Sequence, residues 1–165
     1  MPPRNDTLPE QGRLAGIDFG TVRIGIAMTD PDRMLASPWE TYNRRSPALD
    51  AQYFARLAKE ERIVGWVLGW PIHLDGNDSG KSREVEAFAN WLRELTNLPI
   101  ALQDERFSSA FAREVLGEAG LSRRKTKARI DRVAAQILLA AYLESARPQP
   151  RADGQVKYDP GSIDD

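Results

Sequence analysis

Apolar positions along this chain recur with two different periods, and the changes between them mark out its elements. Leu14 to Phe19 (LAGIDF) is a short apolar run closed by Gly20, the pattern of a central buried strand. Arg23 to Thr29 (RIGIAMT) resumes it after a tight turn at Gly20-Thr21, so the two runs predict a hairpin. Asp30-Pro31-Asp32 is a second turn signal, and Met34 to Thr41 is expected as a third antiparallel strand. The spacing then changes. Ser46 can cap a helix and Pro47 suits its first position, while Leu49, Tyr53, Phe54, Leu57 and Ala58 recur at helical intervals up to about Arg62.

Ile63 to Leu68 (IVGWVL) is apolar almost without interruption, as expected of a parallel strand covered on both faces. A loop rich in Gly, Pro, Asp and Asn follows from Gly69 to Gly80. Ser82 to Leu95 is amphipathic through Val85, Phe88, Ala89, Leu92 and Leu95, and Pro99 to Gln103 is a further short strand. Ser108 to Ala119 is expected to be helical and to stop at Gly120. The last helix, roughly Lys127 to Arg147, places Ile130, Val133, Ala134, Ile137, Leu138 and Ala141 on one stripe. An antiparallel meander followed by alternating helices and strands predicts an α/β fold: a mixed five-stranded sheet with helices on both faces, the element order of the ribonuclease H-like fold. Residues 1–12 are expected to be a flexible tail, 13–147 the domain, and 148–165 a disordered tail rich in Pro, Gly and charge.

Composition narrows the chemistry. The chain has 165 residues, no cysteine and one histidine, His73. Disulfides, thiolate metal sites and a cysteine nucleophile are therefore excluded, and a His-rich zinc site is disfavoured. Any metal is expected to be a hard cation on carboxylate oxygens, Mg2+ or Mn2+. The net charge of −1 gives no overall bias toward nucleic acid, so local charge distribution has to supply it. The absence of a long apolar run and of a signal-peptide core points to a cytoplasmic protein with no membrane partner.

Three acids stand where burial should discourage them. Asp18 interrupts an apolar strand, Glu105 directly follows the PIALQ run, and Asp131 lies beside the apolar stripe of the last helix. Each has a plain explanation: a turn cap at Gly20, a surface pair with Arg106, and a first-turn acid facing the helix dipole. Their joint occurrence, on three segments that this fold can bring to one end, suggests a carboxylate cluster around divalent metal, which could activate water against a phosphodiester.

At these residues the sequence resembles the YqgF (RuvX) family of pre-16S rRNA nucleases and Holliday-junction-resolvase-like proteins. The resemblance runs through GIDFGTVRIGIAMTD (Gly16–Asp30), GWPIHLDG (Gly69–Gly76), DERFSS (Asp104–Ser109) and KARIDRVAAQILL (Lys127–Leu139), in order, and spans about Arg13 to Ala146. It implies a metal-dependent nuclease with Asp18, Glu105 and Asp131 as catalytic, metal-holding acids, and with Arg23, Arg106 and Lys127 contacting phosphate. The substrate it implies is structured nucleic acid, an RNA precursor before a DNA junction. Cutting two strands of a junction would favour a homodimer, but no surface stripe in the sequence declares one, so a monomer and a homodimer both stay open. Trp70, His73 and Ser108 depart from the family's usual residues.

Arg123, Arg124, Lys125, Lys127 and Arg129 crowd the approach to Asp131, so they are candidates for holding the phosphate backbone; a solvated helix start is the plain alternative. Arg44 and Arg45 form a weaker second patch. Trp70 could stack on a base or cover the core, and His73 could assist proton transfer or simply face water. Two other functions compete. Asp18-Phe19-Gly20-Thr21 also resembles the phosphate loop of actin-like kinases, which need a second related domain. A non-catalytic RNA-binding module of the same fold is the other.

Overall fold

The computed structural model describes residues 3–71, 80–105 and 123–147, with side chains from 125 onward in the last of these. The expected helix at Ser108–Ala119, the tail after Arg147, His73, Arg106 and the side chains of Arg123 and Arg124 lie outside the described residues.

Three strands open the chain: β1 (Arg13–Asp18), β2 (Arg23–Thr29) and β3 (Ala36–Asn43). Then come α1 (Pro47–Glu60), β4 (Ile63–Trp70), α2 (Gly80–Thr96), β5 (Ile100–Asp104) and α3 (Arg123–Ala146). The five strands form one sheet in the order β3-β2-β1-β4-β5. β1 and β2 pair antiparallel, as do β2 and β3, whereas β4 runs parallel to both β1 and β5. The mixed sheet expected from the sequence is thus present.

Strand alternation sends successive side chains to opposite faces, and both faces are apolar. On one, Ala15, Ile17, Ile24, Ile26, Trp66 and Leu68 meet Phe54 and Leu57 of α1 and Val85, Phe88 and Leu92 of α2. Phe54 stands edge-on to Tyr42, Trp66, Phe88 and Trp91, so truncating it to Ala should cost about 3–5 kcal/mol. On the other face, Leu14, Ala27, Val67 and Ala101 are covered by Ala135, Leu139 and Leu143 of α3.

Local sequence explains the ends. The Ser46 hydroxyl accepts from the Leu49 N–H at 3.2 Å and Pro47 opens α1, as expected. Leu49 itself is exposed, because it sits in the first turn before α1 reaches the sheet. β3 begins two residues later than the pattern suggested: Met34 and Leu35 are exposed, and Asp30 holds them in a turn by accepting from the Leu35 N–H at 2.9 Å.

Two expectations need correction. The segment before β1 is not a loose tail throughout. The Asp6 N–H donates to the Ile100 carbonyl at 2.8 Å, and the Asp6 carboxylate accepts from the Ile100 N–H at 3.0 Å. The same carboxylate takes the Arg93 guanidinium at 2.8 Å, and Leu8 is buried. These residues cover the outer edge of β5, whose backbone groups would otherwise be left open. The stripe of α3 is also rotated. Ala134, Ala135, Leu138 and Leu139 are buried, whereas Ala141 is exposed and Ile130, Val133 and Ile137 are half-buried. Small alanines at 134 and 135 let the helix approach the sheet closely, and Leu138 and Leu139 fill the space one turn on.

Candidate active site

The strands β1, β4 and β5 are parallel, and their carboxyl ends lie together at the place where open α/β sheets hold ligands. Asp18 is the last residue of β1. Glu105 follows the last residue of β5, and its N–H donates to the Trp70 carbonyl at the end of β4, 3.2 Å away. That bond carries the β4–β5 ladder one step past its Trp70–Asp104 pair and fixes where the Glu105 side chain leaves the sheet.

Asp131 arrives from the other direction. It precedes Ala134, Ala135 and Leu138 by three, four and seven positions, so it shares their buried face of α3 and points toward the sheet. Opposite it is Gly25, which pairs with Asp18 across the β1–β2 ladder. A Cβ on Gly25 would lie 2.0 Å from the Asp131 carbonyl oxygen, so glycine at this position lets the helix backbone settle against the strand beside Asp18. Gly69 does the same for Glu105: a Cβ there would stand 3.0 Å from a Glu105 carboxylate oxygen. The Thr41 hydroxyl donates to the Ala128 carbonyl, and the Gln136 amide donates to the Ala36 carbonyl at 3.1 Å, pinning α3 to β3 on either side of Asp131.

The three acids therefore share one end of the fold, and their charges act on each other. Burial, then the negative charges of Glu105 and Asp131, push the Asp18 carboxyl up to about 7, against an opposing pull from Lys81. Two cations hold the other carboxylates. Arg23 donates through Nε to Asp131 at 2.8 Å, and Lys81 Nζ stands 3.2 Å from Glu105. Asp18, Phe19, Gly20, Thr21, Val22, Arg23 and Asp131 together wall a cleft of about 270 Å3.

The donor set suits a hard divalent cation, since it consists of carboxylate oxygens with no sulfur or imidazole among the residues described. Among those residues no three acidic side chains stand as a ready-made metal cluster, and Glu105 and Asp131 are each engaged in an ion pair, with Lys81 and Arg23. Burial and then the like charges of Glu105 and Asp131 disfavour the Asp18 carboxylate, and a cation held between the three acids would offset that repulsion.

Of the other expected contacts, Arg23 lies in the cluster, paired with Asp131. Lys125, Lys127 and Arg129 are exposed at the start of α3, on the approach to Asp131. Trp70 packs on the core rather than standing free, the commoner fate of that residue. Lys81, Gly25 and Gly69 were not singled out from the sequence. Lys81 had a faint signal as the first cation after the 69–80 loop, but nothing in one sequence connects it to Glu105. No helix among the described residues is long and apolar enough to cross a membrane.

Comparison with known proteins speaks for the family and the fold. The family model described as "RuvX: Holliday junction resolvase" matches residues 12–145. A protein of Rhodopirellula baltica named "Putative pre-16S rRNA nuclease" is 50% identical over 154 residues, covering 93% of this chain and 89% of that one. A protein of the same name from Rhodobacter capsulatus is 39% identical over 147 residues, covering 89% and 92%. Among solved structures, T. thermophilus RuvC in complex with a Holliday junction substrate aligns with a TM-score of 0.50 at 15% identity, covering 84% of this chain and 99% of that one, which speaks for the fold.

Proposed function

The chain belongs to the RuvX family, a family of nucleases, and from that premise we propose that it cuts the ribosomal RNA precursor that gives 16S rRNA. The observation that carries the reading is the meeting of Asp18, Glu105 and Asp131 at the carboxyl end of the parallel strands, where Asp18 senses the other two charges. The choice of precursor RNA follows the names of the relatives that match over most of this chain. Ribosome maturation would place the protein in the cytoplasm.

In this reading Asp18, Glu105 and Asp131 hold Mg2+ or Mn2+, which when bound activates water and neutralises charge on the phosphate. Arg23 orients the Asp131 carboxylate through the bond it already makes. Lys81 does so for Glu105 and relieves the repulsion felt by Asp18. Lys127, with Lys125 and Arg129, steadies the phosphate backbone from the start of α3, and Arg106, Arg123 and Arg124 are assigned to the same task. Chemistry of this kind needs no histidine, cysteine or serine nucleophile, in keeping with the composition.

A second substrate has a specific basis, since the family's description names Holliday junction resolvases. Competition separates the two. A labelled fragment spanning the 5′ end of 16S rRNA and its leader is mixed with a four-way DNA junction, and cleavage of each is followed in one reaction. Preferential cutting of the RNA supports the proposal, whereas cutting of the junction alone assigns the protein to DNA. Binding of the RNA without cutting of either substrate would favour a non-catalytic module.

A further inference from the structure

Beside the carboxylate cleft, on the opposite face of the sheet, lies a second pocket of about 410 Å3 between the start of α1 and the exposed side of α2. That is within the ~300–1,000 Å3 usual for small-molecule sites. Phe19, Phe88 and Trp91 supply its aromatic wall, with Ala87 and Glu84 at the α2 side and Arg44 across from them. Phe19 and Thr21 line this pocket and the carboxylate cleft alike, so the turn after Asp18 is a shared wall.

The geometry points to this pocket as the seat of an unstacked nucleobase that flanks the bond cut at the carboxylates. The inference rests on the nuclease reading above and adds a base-binding subsite to it. Single-stranded nucleic acid is held by pairing a backbone track with aromatic platforms for its bases. Here Trp91 is the half-buried ring left open to the pocket, and the buried rings of Phe88, 5.4 Å from it at 35°, and Phe19, 4.8 Å from Phe88, back it from the core. The Arg44 guanidinium stands 5.5 Å above the Phe19 ring, and its Nε is 3.3 Å from Asp50. A guanidinium fixed in this way offers a second flat surface for a base. The Arg44 N–H also donates to the Val22 carbonyl at 2.9 Å, tying the platform to the turn that walls the cleft.

The charges argue for a base within a polynucleotide rather than a free nucleotide. Among the described lining residues Arg44 is the one cation, and it is engaged by Asp50. Glu84 and Asp50 would repel a phosphate inside the pocket, so the phosphate has to lie outside it, toward the cleft.

The test uses the Asp18→Asn protein, which binds without cutting under the nuclease reading, and an RNA hairpin with unpaired tails carrying one abasic residue at each tail position in turn. One position should cost about tenfold in affinity while its neighbours cost little. Ala87 is exposed on α2, so Ala87→Leu fills the pocket from its solvent side without disturbing the core, and an unchanged unfolding midpoint confirms it. In the Asp18→Asn/Ala87→Leu protein, the same abasic substitution should cost less than about twofold. The inference is overturned if no single position matters, if its cost is the same with the pocket filled, or if the RNA does not bind. Cleavage by the otherwise wild-type protein is scored separately, so a chain that binds the base but never cuts would sink the nuclease reading and leave the pocket standing.

Discussion

Gly25 and Asp131 are in backbone contact: a methyl group on Gly25 would fall 2.0 Å from the Asp131 carbonyl oxygen. Since Gly25 also faces Asp18 across the ladder, this one position sets how near α3 brings its acid to the strand. No rotamer change can relieve a clash with backbone. Gly25→Ala should therefore destabilise the protein by about 3 kcal/mol, the upper end for overpacking. Cleavage by the fraction that stays folded should fall as well. Urea unfolding, followed by cleavage assays well below the midpoint, separates the two effects; a variant as stable and as active as wild type would contradict the contact.

Asp18 should lower the stability of the metal-free protein. Its folded-state pKa, about 7, lies above the ordinary carboxylate value of 3.8, because burial and then Glu105 and Asp131 disfavour its charge. The native state thus holds this proton more tightly than the unfolded chain. Its contribution to stability is full below about pH 4 and is lost as pH rises to about 7, then stays level. Asp18→Asn mimics the neutral form, so at pH 8 in EDTA it should be more stable than wild type by about 1–3 kcal/mol. Melting curves across pH 4–8 for both proteins test this, and an Asn variant that melts lower at pH 8 would refute it.

Arg23→Ala should leave the fold nearly intact and impair cutting. The Arg23 side chain is 33% exposed and that of Asp131 20%, so the pair adds about 1 kcal/mol or less to stability. If Arg23 orients a metal-holding carboxylate, its removal should lower cleavage about 10–100-fold. Thermal melts beside single-turnover assays give both readouts, and full activity in the variant would remove Arg23 from the site.

Asp50 is a buried carboxylate at the start of α1, apart from the acidic cluster. Burial alone would raise its pKa, but the Tyr42 hydroxyl at 2.6 Å, the Arg45 N–H and the Arg44 guanidinium outweigh that and leave it lowered. Its contribution is present above the ordinary carboxylate range and disappears as pH falls through the lowered value. Asp50→Ala should cost about 3 kcal/mol in urea melts at pH 7, since it strands three donors. A loss below about 1 kcal/mol would show that water replaces the carboxylate.

The sequence carried much of this architecture because its signals are local. The Ser46-Pro47 cap, the turn at Gly20 and the uninterrupted run from Ile63 each declare themselves within a few residues. Asp18 was conspicuous for the same reason, a charge inside an apolar strand. What escaped notice depends on distant partners. Gly25 and Gly69 matter only because Asp131 and Glu105 press against them, and Lys81 matters through a residue 24 positions later. Asp131 lies beside the stripe that the pattern predicts, which counts Ile130 and Val133 and omits Ala135 and Leu139, whereas close packing turns Ala134, Ala135, Leu138 and Leu139 to the sheet. Leu8, one apolar residue in a polar segment, has no periodicity to reveal it.

The most direct test of the central claim is cleavage of labelled precursor rRNA by wild type and by Asp18→Asn, each with Mg2+, Mn2+ or EDTA. A cluster of Asp18, Glu105 and Asp131 that works by holding metal predicts cutting by wild type with either cation and none in EDTA. It also predicts loss of at least about a hundredfold in Asp18→Asn with either cation, with RNA binding retained. Cutting that survives EDTA or the loss of the Asp18 carboxylate would contradict it and place the chemistry elsewhere on the protein.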